Sequence, residues 1–327
     1  MTPAFLHHGG RLDAAAQAFG GEPGEWLDLS TGLNPLPWPL DRAPAADWHA
    51  LPDPAALAAL EAGAARHFGA DPALTCAVPG SETALRLLAA MLALPGRALV
   101  PAYRTHAEAF TRSRPIGFGE VPGEGEVVVL ANPNNPDGLL RPPAQILDWH
   151  EAIAGTAGWL IADEAFADCH PEASVAPEVR AGMRLVVLRS FGKFFGLAGL
   201  RLGFVIAPPT LAARLRVMLG SWPVHAAALA TGRAAYADRA WIEQTRARLP
   251  RRAAALDRVL ERHGLTPQGA CPLFRYLTAC DAQALFARLA AARILTRPFA
   301  GRPDTLRLGV PADAEALARL DRALADG

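Results

Sequence analysis

Short apolar runs rich in β-branched residues recur through the middle of the chain, each bounded by turn residues and parted from the next by a helical pattern. The strand-like runs are RALVP (97–101), EVVVLANP (126–133), GWLIADEA (158–165), RLVVLRS (184–190) and LGFVIA (202–207). The helical ones are AALAALEAGAARHF (55–68), with Leu57, Leu60, Ala64 and Phe68 close to one face, then TALRLLAAMLAL (83–94) and QILDWHEAIAG (145–155). Runs of that kind separated by helices predict an α/β fold with a mainly parallel sheet covered on both faces. Upstream, the stretch through LSTGLNPLPWPLDRAP (29–44) reads as irregular, with too many prolines for a helix. Beyond about Ser221 the texture changes. A long arginine-rich helical region, Ala226–His263, leads to short strands at PLFRYLT, RILTR and TLRLGV and to a final helix from Asp313. The expected organisation is a large domain over 36–220 and a small α+β domain made from 1–35 and 221–327, with a cleft between them.

Composition narrows the class. With 51% hydrophobic and 20% charged residues in 327, the chain has the make-up of a globular protein with a sizeable core rather than of a disordered one. Thirty-two basic side chains balance 32 acidic ones, so no overall pull toward nucleic acid or a membrane surface is expected. No apolar run reaches spanning length, and MTPAFLHHGG lacks the basic start and apolar core of a signal peptide, so a cytosolic protein is expected. Cys76, Cys169, Cys271 and Cys280 contain no CxxC pair, and are expected as small core residues rather than metal ligands.

Five segments carry candidate chemistry. In LRSFGKFFGLAGLRLGF (188–204), Lys193 follows a predicted strand in a setting of Gly and Phe with few other charges. Burying that amine is costly unless it is neutral or covalently bonded, and an imine to an aldehyde meets the need. Ser190 and Arg201 flank it as phosphate ligands, a hydroxyl and a planar fork. In GWLIADEAFAD (158–168), Asp163 ends an apolar run, at the carboxyl edge where open α/β sheets bind ligands. A carboxylate in a dry site needs a partner, and a pyridinium nitrogen about 4 Å away is worth about 4 kcal/mol at an effective dielectric near 20. LANPNNPDG (130–138) turns after its strand and offers the amide of Asn135 to a phenolic oxygen. VPGSETALRLL (78–88) starts a helix at Gly80, Ser81 and Glu82, where amides and dipole suit a phosphate. VPAYRTH (100–106) supplies Tyr103 to stack on a flat ring and His106 to stand behind Asp163. Each also has a plain reading by itself: a surface lysine, an acidic strand end, a β-turn, a simple N-cap, half-buried aromatic and polar residues. The order and spacing of all five together select the chemistry.

That order, GSE, PAYRTH, NPNNPDG, DEAF, SFGK and a following arginine, resembles the fold-type I pyridoxal-phosphate enzymes, the aspartate aminotransferase superfamily, over nearly the whole chain. The resemblance implies Lys193 as the Schiff-base lysine, Asp163 as partner of the ring nitrogen N1 and Asn135 as ligand of O3′. It implies Gly80, Ser81, Glu82, Ser190 and Arg201 around the cofactor phosphate, with Tyr103 on the ring. Arg307, in TLRLGV, matches the arginine that grips the substrate carboxylate; by itself it is equally a strand-edge arginine. Within the superfamily the chain is similar to histidinol-phosphate aminotransferases and to the threonine-phosphate decarboxylases of cobalamin synthesis. Three features favour the decarboxylases: the opening HHGGRLDAAAQAFG with WLDLSTGLNPLPWP, Phe166 in place of a tyrosine, and the cast of RSFGKFFGLAGLRLGF.

The resemblance also places His8, Asn34 and Asn135 at the substrate, the first two at its phosphate, although His8 is equally one of two solvated histidines. It implies a homodimer. Leu51, Asp137 and His225 depart from the wider pattern, standing where a tyrosine, a threonine and an asparagine are usual. The expected reaction is decarboxylation of L-threonine O-3-phosphate to (R)-1-amino-2-propanol O-2-phosphate, with an aminotransferase of histidinol-phosphate type as the alternative. A non-catalytic regulatory relative is disfavoured by the presence of both Lys193 and Asp163, and no room for a DNA-binding region is expected before residue 55 or after Gly327.

Overall fold

The computed structural model describes residues 5–278 and 281–325, which divide into two compact units: 37–135 with 139–243, and 5–36 with 136–138, 244–278 and 281–325. In the larger unit β2 (Thr75–Val78), β3 (Gly96–Leu99), β4 (Ser113–Ile116), β5 (Val127–Ala131), β6 (Trp159–Asp163), β7 (Leu185–Ser190) and β8 (Gly203–Ile206) form one sheet in the order β2-β8-β7-β6-β5-β3-β4. The strands from β4 to β7 pair in parallel, whereas β8 is antiparallel to both of its neighbours, β7 and β2. All five residues of β5 are buried, as a strand covered on both faces requires. Helices α2 (Pro54–Phe68), α3 (Ser81–Leu92), α4 (Thr105–Glu108), α5 (Pro143–Ala154), α6 (Phe191–Phe194), α7 (Pro209–Leu219) and α8 (Ala226–Ala237) complete the unit. Leu85, Leu88, Val127, Val129, Ile161, Val186, Leu188 and Val205 meet in its core.

Two of the seven strands carry no apolar run to announce them. β2 is four residues long and set between Pro72 and Pro79, and β4 is an edge strand whose Arg114 is exposed and whose Pro115 donates nothing to the ladder. The expected single helical region 226–263 is broken at Asp238, which separates α8 from α9 (Arg239–Arg262). Asp238 accepts from the amide of Trp241 at 3.1 Å and from Trp38 and Arg42 at 3.1 and 2.7 Å, so its carboxylate starts the second helix and anchors the 38–42 loop.

In the smaller unit β12 (Arg297–Phe299), β13 (Arg302–Gly309), β10 (Phe274–Thr278) and β9 (Pro267–Gln268) form an antiparallel sheet, and β1 (Leu27–Asp28) pairs in parallel with β11 (Ile294–Leu295). α10 (Ala282–Ala291), α11 (Ala314–Ala325) and α1 (Leu12–Phe19) belong to this unit. The opening stretch, expected to be irregular, therefore contains a helix. Its prolines lie outside 12–19, and Leu12, Ala15 and Ala16 turn to a core with Phe286, Leu306 and Leu308. Cys76 and Cys271 are buried and Cys169 is partly so; Cys280 lies outside the described residues. Among the described residues no helix is long and apolar enough to cross a membrane.

Candidate active site

The strand directions of the larger unit bring the predicted cofactor residues to one edge. β2, β3, β5, β6 and β7 all run the same way, so their carboxyl ends share that edge, and antiparallel β8 starts there. Gly80 and Ser81 follow β2, Tyr103 follows β3, Asn135 follows β5, Asp163 ends β6, Ser190 ends β7 with Lys193 three residues on, and Arg201 precedes β8. An open α/β sheet binds ligands at this edge.

Lys193 is half-buried on α6, a helix of four residues held by its aromatic neighbours. Phe191 and Phe195 stack at 4.4 Å, Phe195 lies 5.5 Å from Trp241, and Phe194 packs edge-on to both Phe195 and Trp241. The Phe-rich sequence thus clamps the helix while Lys193 keeps an exposed side; its Nζ stands 5.9 Å from the centroid of the Phe166 ring.

Asp163 is 8% exposed. Its Oδ2 lies 2.9 Å from Nε2 of His106 and its Oδ1 accepts the amide of Ala165 at 3.1 Å. The imidazole therefore donates from Nε2, while its Nδ1 is buried with no hydrogen-bond partner among the described residues. His106 stands behind Asp163 as expected. Tyr103 packs edge-on to His106 at 5.5 Å, and its hydroxyl donates to Oε2 of Glu82 at 3.2 Å. Burial first, with the Glu82 and Asp163 carboxylates adding, pushes the Tyr103 phenol up to about 12. Glu82 also accepts from Thr105 at 3.3 Å, so its side chain braces the Tyr103 loop.

The candidate phosphate cradle rests on missing side chains. Gly80 has φ +91°, and a Cβ there would meet Nη2 of Arg201 at 2.7 Å; a Cβ on Gly203 would meet the amide nitrogen of Ser81 at 2.7 Å. These two glycines admit the guanidinium and the start of α3, which has no side-chain cap. Arg201 adopts a left-handed backbone, φ +49°, a strain of about 1–3 kcal/mol that residues near ligand sites commonly hold. Helix-start amides, two serine hydroxyls and a guanidinium form a donor set suited to a phosphate dianion.

The loop after β5 divides its asparagines. Asn132 donates to the carbonyls of Arg141 and Ala173 at 3.0 and 3.1 Å, and Asn134 donates to that of Pro101 at 3.0 Å. These two fasten the loop, and Asn135 is presented half-buried at its tip. His225 starts α8: Nδ1 accepts from Ala228 at 3.3 Å and Nε2 donates to the Leu200 carbonyl at 2.9 Å, beside Arg201. Leu51 is exposed.

His8, Asn34 and Arg307 all belong to the smaller unit. Arg307, 7% exposed, alternates along β13 with the core residues Leu306 and Leu308, donates to the Ser30 carbonyl at 3.1 Å and lies 4.9 Å from the Phe274 centroid. The amide of Gly10 donates to Oγ of Ser30 at 2.7 Å, and a Cβ on Gly9 would meet the Ser30 carbonyl oxygen at 2.4 Å. The glycine pair after His8 thus lets the N-terminal segment lie against Ser30, as Arg307 also does. Asn34 is buried and accepts the amide of Leu36 at 3.0 Å. Sequence reasoning missed Arg297, 8% exposed, which donates to the carbonyls of Phe5 and His7 at 2.6 and 2.7 Å and ties down the same segment. The sole signal for it was a charge inside a short strand.

The sequence profile of aminotransferase class I and II matches residues 118–324. A threonine-phosphate decarboxylase of Pseudomonas aeruginosa is 42% identical over 330 residues, 98% of this chain and 97% of that protein. One from a Sinorhizobium species is 37% identical over 332 residues, 99% of each. Among solved structures, a histidinol-phosphate aminotransferase from Sinorhizobium meliloti in complex with pyridoxal-5'-phosphate superposes with a TM-score of 0.80 at 20% identity, covering 96% of this chain and 94% of that one. At that identity the likeness concerns the fold.

Proposed function

Because this chain belongs to the class I and II aminotransferase family, we propose that it decarboxylates L-threonine O-3-phosphate to (R)-1-amino-2-propanol O-2-phosphate with pyridoxal phosphate as cofactor. Its fold is the α/β fold-type I transferase fold. The observation that carries the reading is 42% identity, over 98% of the chain, to a protein named for that decarboxylation. The donor set at the sheet edge fits the cofactor.

Pyridoxal phosphate, when bound, supplies a protonated ring that accepts the electron pair released as CO2 departs. Lys193 would hold it covalently through Nζ. Asp163, oriented by His106, keeps the proton at the ring nitrogen. Ser81, Ser190, Arg201 and the amides at Gly80–Glu82 hold the phosphate, Tyr103 supports the ring and Asn135 donates to its phenolic oxygen. His8 and Asn34 hold the substrate phosphate and Arg307 its carboxylate. A grip on the substrate at its phosphate and its carboxylate would select which bond at Cα breaks, and so decarboxylation over transamination. The Cα–carboxylate bond breaks, CO2 leaves and one proton is taken up at Cα; no redox partner or second substrate is required.

The motif resemblance also supports a homodimer serving cobalamin synthesis, and a cytoplasmic location belongs to the same proposal. Incubation of the purified chain with threonine phosphate is expected to release CO2 and the amino-propanol phosphate, seen by mass spectrometry, without any keto acid. Amine exchange that depends on 2-oxoglutarate, with histidinol phosphate as donor, would instead identify an aminotransferase. Borohydride treatment of the cofactor-loaded protein is expected to leave a pyridoxyl mass on Lys193.

A further inference from the structure

A buried ionic network in the larger unit has no part in the chemistry described so far. Arg189 is 2% exposed; its Nη1 donates to Oε2 of Glu164 at 3.0 Å and to Oγ of Ser174 at 3.3 Å, and its Nη2 donates to Oδ1 of Asp168 at 2.6 Å. Asp168 lies 2.9 Å from Nε2 of His67, Glu164 accepts the amide of Val175 at 2.6 Å, and the guanidinium sits 4.4 Å from the Phe68 centroid. Both carboxylates are 1% exposed or less. Removing three charges from water is expensive, and well-packed apolar residues commonly serve stability as well or better. What apolar residues lack is the geometry of a rigid fork that holds two carboxylates at one separation.

The network's place in the chain gives that geometry a use. Glu164 directly follows Asp163, and Arg189 directly precedes Ser190. We propose that Arg189 is a positioning residue for the cofactor: by holding Glu164 and Asp168 in one fork, it sets the end of β6, which presents Asp163, against the end of β7, which presents Ser190 and leads to Lys193. The inference rests on the pyridoxal-phosphate reading. The charge balance within the network is uneven. Burial raises the Glu164 carboxyl above its ordinary range; for Asp168, burial pulls the same way but the Arg189 guanidinium and His67 outweigh it and hold the group low. Asp168 also makes the shorter contact with the guanidinium, 2.6 Å against 3.0 Å for Glu164, so its loss should matter more than that of Glu164.

The test compares the full-length wild type with Arg189→Lys, Asp168→Asn and Glu164→Gln, and with Ile153→Ala, a buried α5 residue outside the network. Three readouts are taken: melting temperature, pyridoxal-phosphate affinity by tryptophan quenching, and the pH midpoint of the bound cofactor's visible absorption. A misplacement of about 1 Å can cost on the order of 100-fold in a positioned site. Arg189→Lys and Asp168→Asn are therefore expected to bind the cofactor at least about tenfold more weakly and to shift the midpoint, with Glu164→Gln milder. Ile153→Ala is expected to melt lower with wild-type affinity and midpoint. Wild-type affinity and midpoint in the network variants would overturn the positioning role, as would an equal affinity loss in Ile153→Ala. If Arg189→Lys does not fold, the two carboxylate variants decide by the same readouts; failure of all three to fold means the network serves folding alone, and overturns the proposal. Failure of the wild type to take up the cofactor sinks the underlying reading instead, and the proposal with it.

Discussion

Asp163 and Tyr103 show how burial prepares single side chains for the tasks proposed for them. The Asp163 carboxylate is buried against His106, which aims it and leaves it able to face a ring nitrogen. Replacing it removes about 4 kcal/mol of attraction for a pyridinium, so Asp163→Asn is expected to lower kcat by about three orders of magnitude while the Lys193 adduct still forms. Steady-state rates and borohydride mass analysis check both halves. Tyr103 carries a pH signature. Its folded phenol titrates near 12 against an ordinary 10, because burial disfavours the phenolate. A raised folded value means the contribution is fully present below the ordinary value and is lost as pH rises from about 10 through 12. Two units correspond to at most about 3 kcal/mol. Tyr103→Phe is thus expected to lose less stability than the wild type between pH 10 and 12, as followed by urea unfolding at each pH.

At the scale of elements, the approach of one backbone to another decides function. The first turn of α3 reaches the β8 start because Gly203 has no Cβ, and an added methyl would stand 2.7 Å from the Ser81 amide nitrogen. Gly203→Ala is expected to displace the helix start and weaken cofactor binding about tenfold or more, with near-wild-type helical circular dichroism; fluorescence titration measures it. The N-terminal segment depends on Gly9 in the same way, with a Cβ 2.4 Å from the Ser30 carbonyl oxygen. Gly9→Ala is expected to raise KM for threonine phosphate severalfold while the cofactor absorption stays unchanged. The opposite pattern would detach the segment from substrate binding.

At the scale of the molecule, the core around Leu188 and the core around Leu308 have no residue in common. Both leucines are 1% exposed or less. Leu188→Ala and Leu308→Ala are each expected to cost about 2–5 kcal/mol, and pyridoxal phosphate at about 100 times its Kd to return about 2.7 kcal/mol to Leu188→Ala, in the unit that carries the proposed cofactor residues. Thermal unfolding with and without cofactor tests this.

From residue order alone came the alternation of strands and helices and the five segments proposed to bind the cofactor, because β-branched runs and turn residues act locally and a proposed covalent lysine with its phosphate ligands demands fixed spacing. Edge strand β4 and the break at Asp238 carried no such local mark, since an exposed strand needs no apolar run and an aspartate between two helices reads like any other polar residue. Only the folded chain decided that Asn132 and Asn134 fasten the loop that presents Asn135, that Glu82 braces Tyr103, and that Arg189 and Arg297 lie buried. The physical reason is that a charge or amide is placed by partners distant in sequence, and those partners meet only when the sheet assembles.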